Sequence, residues 1–185
     1  MNIEDYGFKN NYIKTENQIP ARILATYKNR YQIVCNNGEG FAQIKRGCYY
    51  DNPNSIYPTT GDFVLIEWND FGDSMITETL KRKSSFSRAA SSSDRKHELH
   101  NQHEQLVAAN FDYVFIMQSL NNNFNLHRIE RYLSLAWESG GVPVIILTKN
   151  DLVDNPQEYI NEVEAWAIEK KVLVKFIFLR FKGRK

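Results

Sequence analysis

Cysteine is nearly absent from this chain. Two of its 185 residues are cysteines, Cys35 and Cys48, with no CxxC and no second thiol pair. Neither a disulfide framework nor a zinc ribbon is therefore encoded, and reduced thiols are expected. Long hydrophobic runs are missing too: none approaches the ~20 residues of a membrane span. The start, Met1-Asn2-Ile3-Glu4-Asp5, lacks the basic stretch and apolar core of a secretory leader. The expectation is a soluble, cytoplasmic, monomeric protein with no membrane partner.

Net charge is also small, +1, but it is segregated. Residues 81–97 carry six Lys or Arg against one Asp, and residues 169–185 carry seven against one Glu, which leaves the remainder acidic. Clustered Lys and Arg neutralise phosphates whatever the global charge, so a polyanionic partner is one reading and a solvated surface the other. A length of 185 residues with 42% hydrophobic side chains suits one large domain or two small ones.

Between Pro20 and Leu80 the chain is a series of short β-branched and aromatic segments bounded by turn residues, an all-β signature. Strands are predicted at Ala21–Tyr27, Tyr31–Cys35, Phe41–Ile44, Phe63–Trp68 and Ser74–Leu80. Asn36-Asn37-Gly38-Glu39-Gly40 makes a tight reversal, because Asn and Gly adopt positive φ cheaply. Five short strands with one long connection fit a Greek-key barrel of OB type over residues 1–80, with an SH3-like barrel as the alternative.

Residues 81–105 then turn Ser- and Arg-rich and are expected to be a basic flexible linker, since such sequence buries too little apolar area to order itself. His97, His100 and His103 lie here without a carboxylate or thiol cluster to complete a metal site, so no metal is expected. Beyond Gln105 the pattern becomes α/β. Asp112–Met117 and Val142–Leu147 are continuous apolar strands, as parallel strands covered on both faces require. Between them Leu126, Ile129, Leu133, Ala136 and Trp137 recur at helical spacing, and Gly140-Gly141 stops that helix. Asn155, Pro156 and Glu158 begin a second helix as cap, first position and capping-box partner, with Ile160, Val163 and Ala167 facing inward. Val172–Leu179 begins a third strand.

Thr148-Lys149-Asn150-Asp151 falls at the end of the second apolar strand. In an open parallel sheet, ligands sit beyond the carboxyl ends of the strands. The Asp151 carboxylate can accept from both N1–H and the exocyclic amine of guanine. Adenine offers no such donor pair, and a buried acceptor left unpaired costs about 1–3 kcal/mol. Lys149 can lay its methylene stem along the base while its ammonium stays solvated. Thr148 would tie the loop to neighbouring backbone, and Asn150 would point away. Such a tetrad arises by chance in a chain this long with a probability of order several per cent; its place after an apolar strand and before a capped helix makes it specific.

The barrel, the basic segment, Glu104-Gln105-Leu106-Val107-Ala108-Ala109-Asn110-Phe111-Asp112-Tyr113-Val114-Phe115-Ile116, Asn125-Leu126-His127-Arg128-Ile129-Glu130-Arg131-Tyr132-Leu133 and Thr148-Lys149-Asn150-Asp151-Leu152 together resemble the ribosome small-subunit-dependent GTPase A family. That family resembles translational GTPases rewired by circular permutation, so the guanine motif precedes the phosphate loop. The resemblance runs from about Ala21 and covers about the first half of the family pattern. It implies an OB domain that binds small-subunit rRNA and a partial GTPase domain over residues 106–185 that binds GTP or GDP. It also implies a role in late maturation of the small ribosomal subunit. Mg²⁺ and Zn²⁺ belong to the full-length pattern and are not expected in this chain.

No GxxxxGK[ST] occurs here, and no Asp-x-x-Gly follows the tetrad. Phosphoryl transfer needs the backbone cradle, Lys and Mg²⁺ ligand those motifs supply, so no catalytic residue is assigned and the chain alone is expected to be inactive. Residues 176–185 also depart from the family's base-contacting loop. The alternative reading is a non-enzymatic RNA-binding module with a vestigial α/β half. Its candidate contacts are Tyr27, Arg30, Tyr31, Phe41 and Lys45 on the barrel and Lys81, Arg82, Lys83 and Arg88 beyond it. Taken singly, each barrel residue reads better as ordinary core or surface, because strands place aromatics inward as readily as outward.

Overall fold

The computed structural model describes residues 2–9, 17–50, 55–89, 104–169 and 175–179, with backbone alone at 88–89, 104–105, 168–169 and 175–179. Two compact units result, residues 1–111 and 112–185.

In the first unit, alternation along each strand sends one set of side chains inward. β1 (Ile19–Thr26) contributes Ala21 and Ile23, β2 (Tyr31–Cys35) Ile33 and Cys35, β3 (Gly38–Ile44) Ala42, β4 (Phe63–Glu67) Val64 and Ile66, and β5 (Ser74–Thr79) Ile76. Burying each of these Val or Ile side chains is worth about 1.5–3 kcal/mol. β1 pairs antiparallel with both β2 and β4, while β3 and β5 pair in parallel, so the barrel closes in the order β1-β2-β3-β5-β4. A short helix α1 (Arg46–Tyr50) between β3 and β4 brings Tyr49 into the core, its hydroxyl 2.8 Å from Thr79 Oγ1. The parallel β3–β5 pairing makes this the OB-type closure and sets aside the SH3-like alternative.

The stretch expected as a flexible linker is in part ordered. β6 (Ser85–Ala89) and β7 (Glu104–Ala109) pair as an antiparallel ribbon; residues 90–103, with His97, His100 and His103, lie outside the described residues. Composition missed this because the ribbon is held by polar contacts to the barrel rather than by its own apolar area. Asp62, fully buried, accepts from Arg82 Nε at 2.8 Å, Arg82 Nη2 at 2.7 Å and the Thr59 amide at 2.8 Å. Arg82 Nη2 also donates to Tyr57 O at 2.8 Å. Asn110 sits in the left-handed region at φ +53, accepts from the Lys83 amide at 2.8 Å and donates to Gly61 O at 3.2 Å. Gly61, at φ +90, lies so close to the ribbon that a Cβ there would stand 2.1 Å from Ala109 O. Only glycine permits that approach.

The second unit is a three-stranded parallel sheet in the order β10-β9-β8, from β8 (Tyr113–Ser119), β9 (Val142–Thr148) and β10 (Lys175–Leu179). Helix α2 (Leu126–Glu138) is capped by Asn125, whose Oδ1 accepts from the Arg128 amide at 3.0 Å. It ends at Gly140, φ +81, with the amides of Gly140 and Gly141 closing on Trp137 O and Ala136 O. Helix α3 (Pro156–Glu169) starts at the expected proline, where Asn155 Nδ2 donates to Glu158 Oε1 at 2.7 Å. One core joins Ile116, Ile145 and Leu147 of the sheet to Ile129, Leu133 and Ala136 of α2 and Val163 of α3. Two expectations change. Trp137 is 48% exposed rather than part of the buried α2 face, and β8 is apolar but not covered on both sides, since Tyr113, Phe115 and Met117 are exposed. No helix among the described residues is long and apolar enough to cross a membrane.

Candidate functional site

The tetrad lies where the sheet delivers its loops. Thr148 is the last residue of β9, and its carbonyl accepts from the Leu120 amide at 3.0 Å while its Oγ1 lies 3.5 Å from Gln118 O. Thr148 thus joins the ends of β8 and β9. The next residue, Lys149, takes left-handed backbone at φ +59, ψ +36; among the described residues only Asn110 shares positive φ without being glycine. That conformation costs a non-glycine residue roughly 1–2 kcal/mol and turns the chain sharply off the strand. A single 3-10 turn over Asn150–Leu152 follows, closed by the Leu152 amide on Lys149 O at 3.1 Å. Lys149 and Asp151 are thereby exposed at the carboxyl edge, free of the strand ladder. Asn150 is half-buried, and its Oδ1 is buried with no hydrogen-bond partner.

A neighbouring residue was not singled out from the sequence. Gln118, 2% exposed at the end of β8, donates from Nε2 to Ser119 O at 3.0 Å and to Asn123 O at 2.8 Å. Asn121 Oδ1 accepts from Ser119 Oγ at 3.0 Å and from the Asn123 amide at 3.2 Å, and Arg128 reaches Asn123 Oδ1 at 3.2 Å. The loop beside the tetrad is therefore built on its own polar side chains. The available signal was a lone amide ending an apolar run, which must be satisfied if the strand is buried.

On the barrel, the structure brings together three of the candidate RNA contacts. Tyr27 and Phe41 are exposed with ring centroids 6.4 Å apart, and the Arg30 guanidinium lies 3.9 Å over the Phe41 ring. Asp73 fixes Arg30 through Nε at 3.0 and 3.1 Å and also accepts from Gln43 at 2.8 Å. Those bonds from Arg30, then Gln43, hold the Asp73 carboxyl below its ordinary value. The Asp70–Asp73 turn thus serves the barrel surface. Lys45 is paired with Glu67 at 2.6 Å, a hydrogen bond that raises its ammonium pKa.

Other candidates are placed elsewhere. Tyr31 packs against the barrel core, and burial, then Tyr57, raises its phenol pKa. Arg82 is consumed by buried Asp62 and does not present its guanidinium as a surface cation. Lys81 and Lys83 are exposed, and Arg88 is described by its backbone alone. The 180–185 tail lies outside the described residues, as do the side chains of 175–179. Among the described residues no group of three His, Cys, Asp or Glu could hold a metal ion.

The family model described as RsgA GTPase matches residues 80–179. The small ribosomal subunit biogenesis GTPase RsgA 1 of Listeria monocytogenes serovar 1/2a is 42% identical over 171 residues, 90% of this chain and 45% of the relative. The corresponding protein of Syntrophotalea carbinolica is 30% identical over 180 residues, 94% of this chain and 50% of the relative. Among solved structures, YjeQ from Thermotoga maritima superposes with a TM-score of 0.64 at 18% identity, covering 88% of this chain and 52% of that one. YloQ, described as a circularly permuted GTPase, gives 0.60 at 16% identity over 92% and 55%. This chain thus spans about half the length of the relatives it matches.

Proposed function

The chain belongs to the RsgA GTPase family, and from that premise we propose that it supplies the rRNA-contacting barrel and the guanine-reading corner of a cytoplasmic GTPase acting in late maturation of the small ribosomal subunit. One observation carries the nucleotide half of this reading. The left-handed Lys149 turns Lys149 and Asp151 off the carboxyl end of β9 while Thr148 stays anchored to β8. Strain of this kind at a strand end is spent where a side chain must be held outward toward a ligand. Asp151 then accepts from N1–H and the 2-amino group of guanine, Lys149 lies along the base, and Thr148 holds the loop. The barrel supplies an aromatic pair and a fixed guanidinium, the combination that stacks bases and meets phosphates in single-stranded RNA.

Hydrolysis needs a phosphate loop and a magnesium ligand that this sequence does not contain. The proposed role of this polypeptide alone is therefore base recognition without turnover, in a monomeric state.

The test is a fluorescence titration with guanine and xanthine nucleotide analogues against the chain and against Asp151→Asn. Xanthine replaces the 2-amino donor with a carbonyl, which an Asn amide can meet and a carboxylate cannot. Loss of one charged hydrogen bond, about 1.5–3 kcal/mol, predicts a roughly 10- to 150-fold weaker guanine affinity and a gain for xanthine. Indistinguishable titrations for the two proteins would remove Asp151 from the site. Mg²⁺-dependent GTP turnover by the purified chain would overturn the proposed division of labour.

A further inference from the structure

The turn between β4 and β5, residues 68–73, carries the one large hydrophobic side chain among the described residues that is fully exposed, Phe71 at 100%. A scattered surface hydrophobe is ordinary, but this one stands on a turn that its own side chains hold in shape. Trp68 Nε1 donates to Asp70 Oδ1 at 2.7 Å. Asn69 Oδ1 accepts from the Phe71 amide at 3.1 Å, and Asn69 Nδ2 donates to Asp73 O at 3.4 Å. The Asn69 amide in turn donates to Ser74 Oγ at 3.2 Å. The backbone under Phe71 is therefore fixed while its ring covers no neighbour.

Asp73, the last residue of the turn, ties the tip to the aromatic cluster of the barrel. It accepts from Arg30 on the β1–β2 turn and from Gln43 on β3, and Arg30 lies over the Phe41 ring of the same strand. Three separate segments are thus locked together on the side where OB-type barrels receive oligonucleotides, the face of the second and third strands and the loops at its rim. The charges here are mutually engaged: Arg30 by Asp73, Lys45 by Glu67, and Asp70 by the Trp68 indole. A surface built for phosphates keeps its cations available. What this one turns outward is aromatic rings, which suit the π-face of a base.

We propose that Phe71 is a base-stacking residue, its ring presented by the β4–β5 turn to an unpaired nucleobase of single-stranded RNA, with Asp73 the positioning residue that sets the turn against Arg30. The proposal rests on the rRNA reading of the barrel given above and adds to it a contact and a mode of binding. An unpaired base has an open face for a protruding ring, whereas bases inside a duplex are covered by their neighbours. A turn already ordered in the free protein loses little freedom on binding.

The experiment titrates the 185-residue chain with a single-stranded oligoadenylate of about twelve nucleotides, a length that one barrel can span. The strand carries one central 2-aminopurine, whose fluorescence falls on stacking, and is also presented annealed to its complement. The native chain should bind and quench the single strand and bind the duplex more weakly. Phe71→Ala should weaken binding roughly 5- to 150-fold, the effect of one lost base stack, and lessen the quenching; Phe71→Trp should restore both. The salt dependence of affinity should keep its slope in Phe71→Ala, because a ring releases no counterion, and its unfolding midpoint should match that of the native chain. Asp73→Asn should lessen the quenching and steepen the salt slope by about 0.7, as Arg30 becomes available to a phosphate. Equal affinities for the native chain and Phe71→Ala would overturn the inference and leave the rRNA reading standing. So would binding of small-subunit rRNA without binding of the single strand, a loss in Phe71→Ala accompanied by a flatter salt slope, or a dimer of this chain that Phe71→Ala dissolves. Failure of the native chain to bind either the oligonucleotide or the rRNA would overturn the rRNA reading itself, and the inference with it.

Discussion

Replacing Asp62 should unfasten the ribbon from the barrel and cost more than any exposed substitution. Asp62 is fully buried and its carboxylate accepts three bonds of 2.7–2.8 Å, two from Arg82 and one from the Thr59 amide. Asp62→Ala removes all three and leaves a guanidinium whose side chain is only 18% exposed. Breaking one side of a buried ion pair costs about 3–5 kcal/mol. Arg82 keeps its bond to Tyr57 O and some solvent, which places the expected loss near the lower figure, about 3 kcal/mol. Asp62→Ala with Arg82→Met removes the orphaned charge as well, and should recover about 1–2 kcal/mol of the summed single losses, as coupled neighbours do. Trp68 lies against the barrel core and is the single tryptophan in residues 1–111. Urea unfolding followed by its fluorescence, with Trp137 and Trp166 replaced by Phe, therefore reports this unit alone. A loss below about 1 kcal/mol for Asp62→Ala, or a double variant equal to the sum of the singles, would refute a load carried by this pair.

Three further outcomes follow from the barrel. The Asp73 carboxyl is depressed by Arg30 and Gln43, so its contribution is present above the ordinary carboxylate value and is lost as pH falls through the lowered folded value; unfolding midpoints of Arg30→Met should vary less with pH across the acid range than those of the native chain. Burial raises the Tyr49 phenol, opposed in part by the Thr79 hydroxyl. The folded state then holds its proton after the unfolded chain has lost it, so stability should fall as pH rises above about 10, the ordinary tyrosine value; Tyr49→Phe should flatten that decline in alkaline unfolding curves. Phe41→Ala should weaken binding of small-subunit rRNA by about 1–3 kcal/mol in filter assays, with affinity falling as salt rises; unchanged binding would remove the Tyr27–Arg30–Phe41 cluster as a stacking surface.

Much of the fold was readable because period and punctuation acted together. Alternation with Asn-Gly turns marked the barrel strands, and Gly140 and Pro156 bounded the helices where the structure bounds them. Reading failed where order depends on a distant partner. The 81–105 stretch looked too polar to fold, yet Arg82 is fixed by Asp62, twenty residues earlier. Arg82 and Lys81 look alike in a basic run, and only packing showed that one is spent inside the barrel while the other is exposed. Trp137 and Phe115 carry the periodicity of core residues and stand in solvent.

By itself the sequence determined the β-then-α/β order, the family, and the tetrad at the end of an apolar strand, since these rest on local chemistry and short-range period. Tertiary structure decided what those residues face. Closure of the barrel through parallel β3 and β5, the left-handed turn that exposes Lys149 and Asp151, the burial of Asp62 with Arg82 and the bare flank of β8 all depend on segments far apart in the chain. Burial and pairing are properties of such meetings, and no single segment encodes its partner.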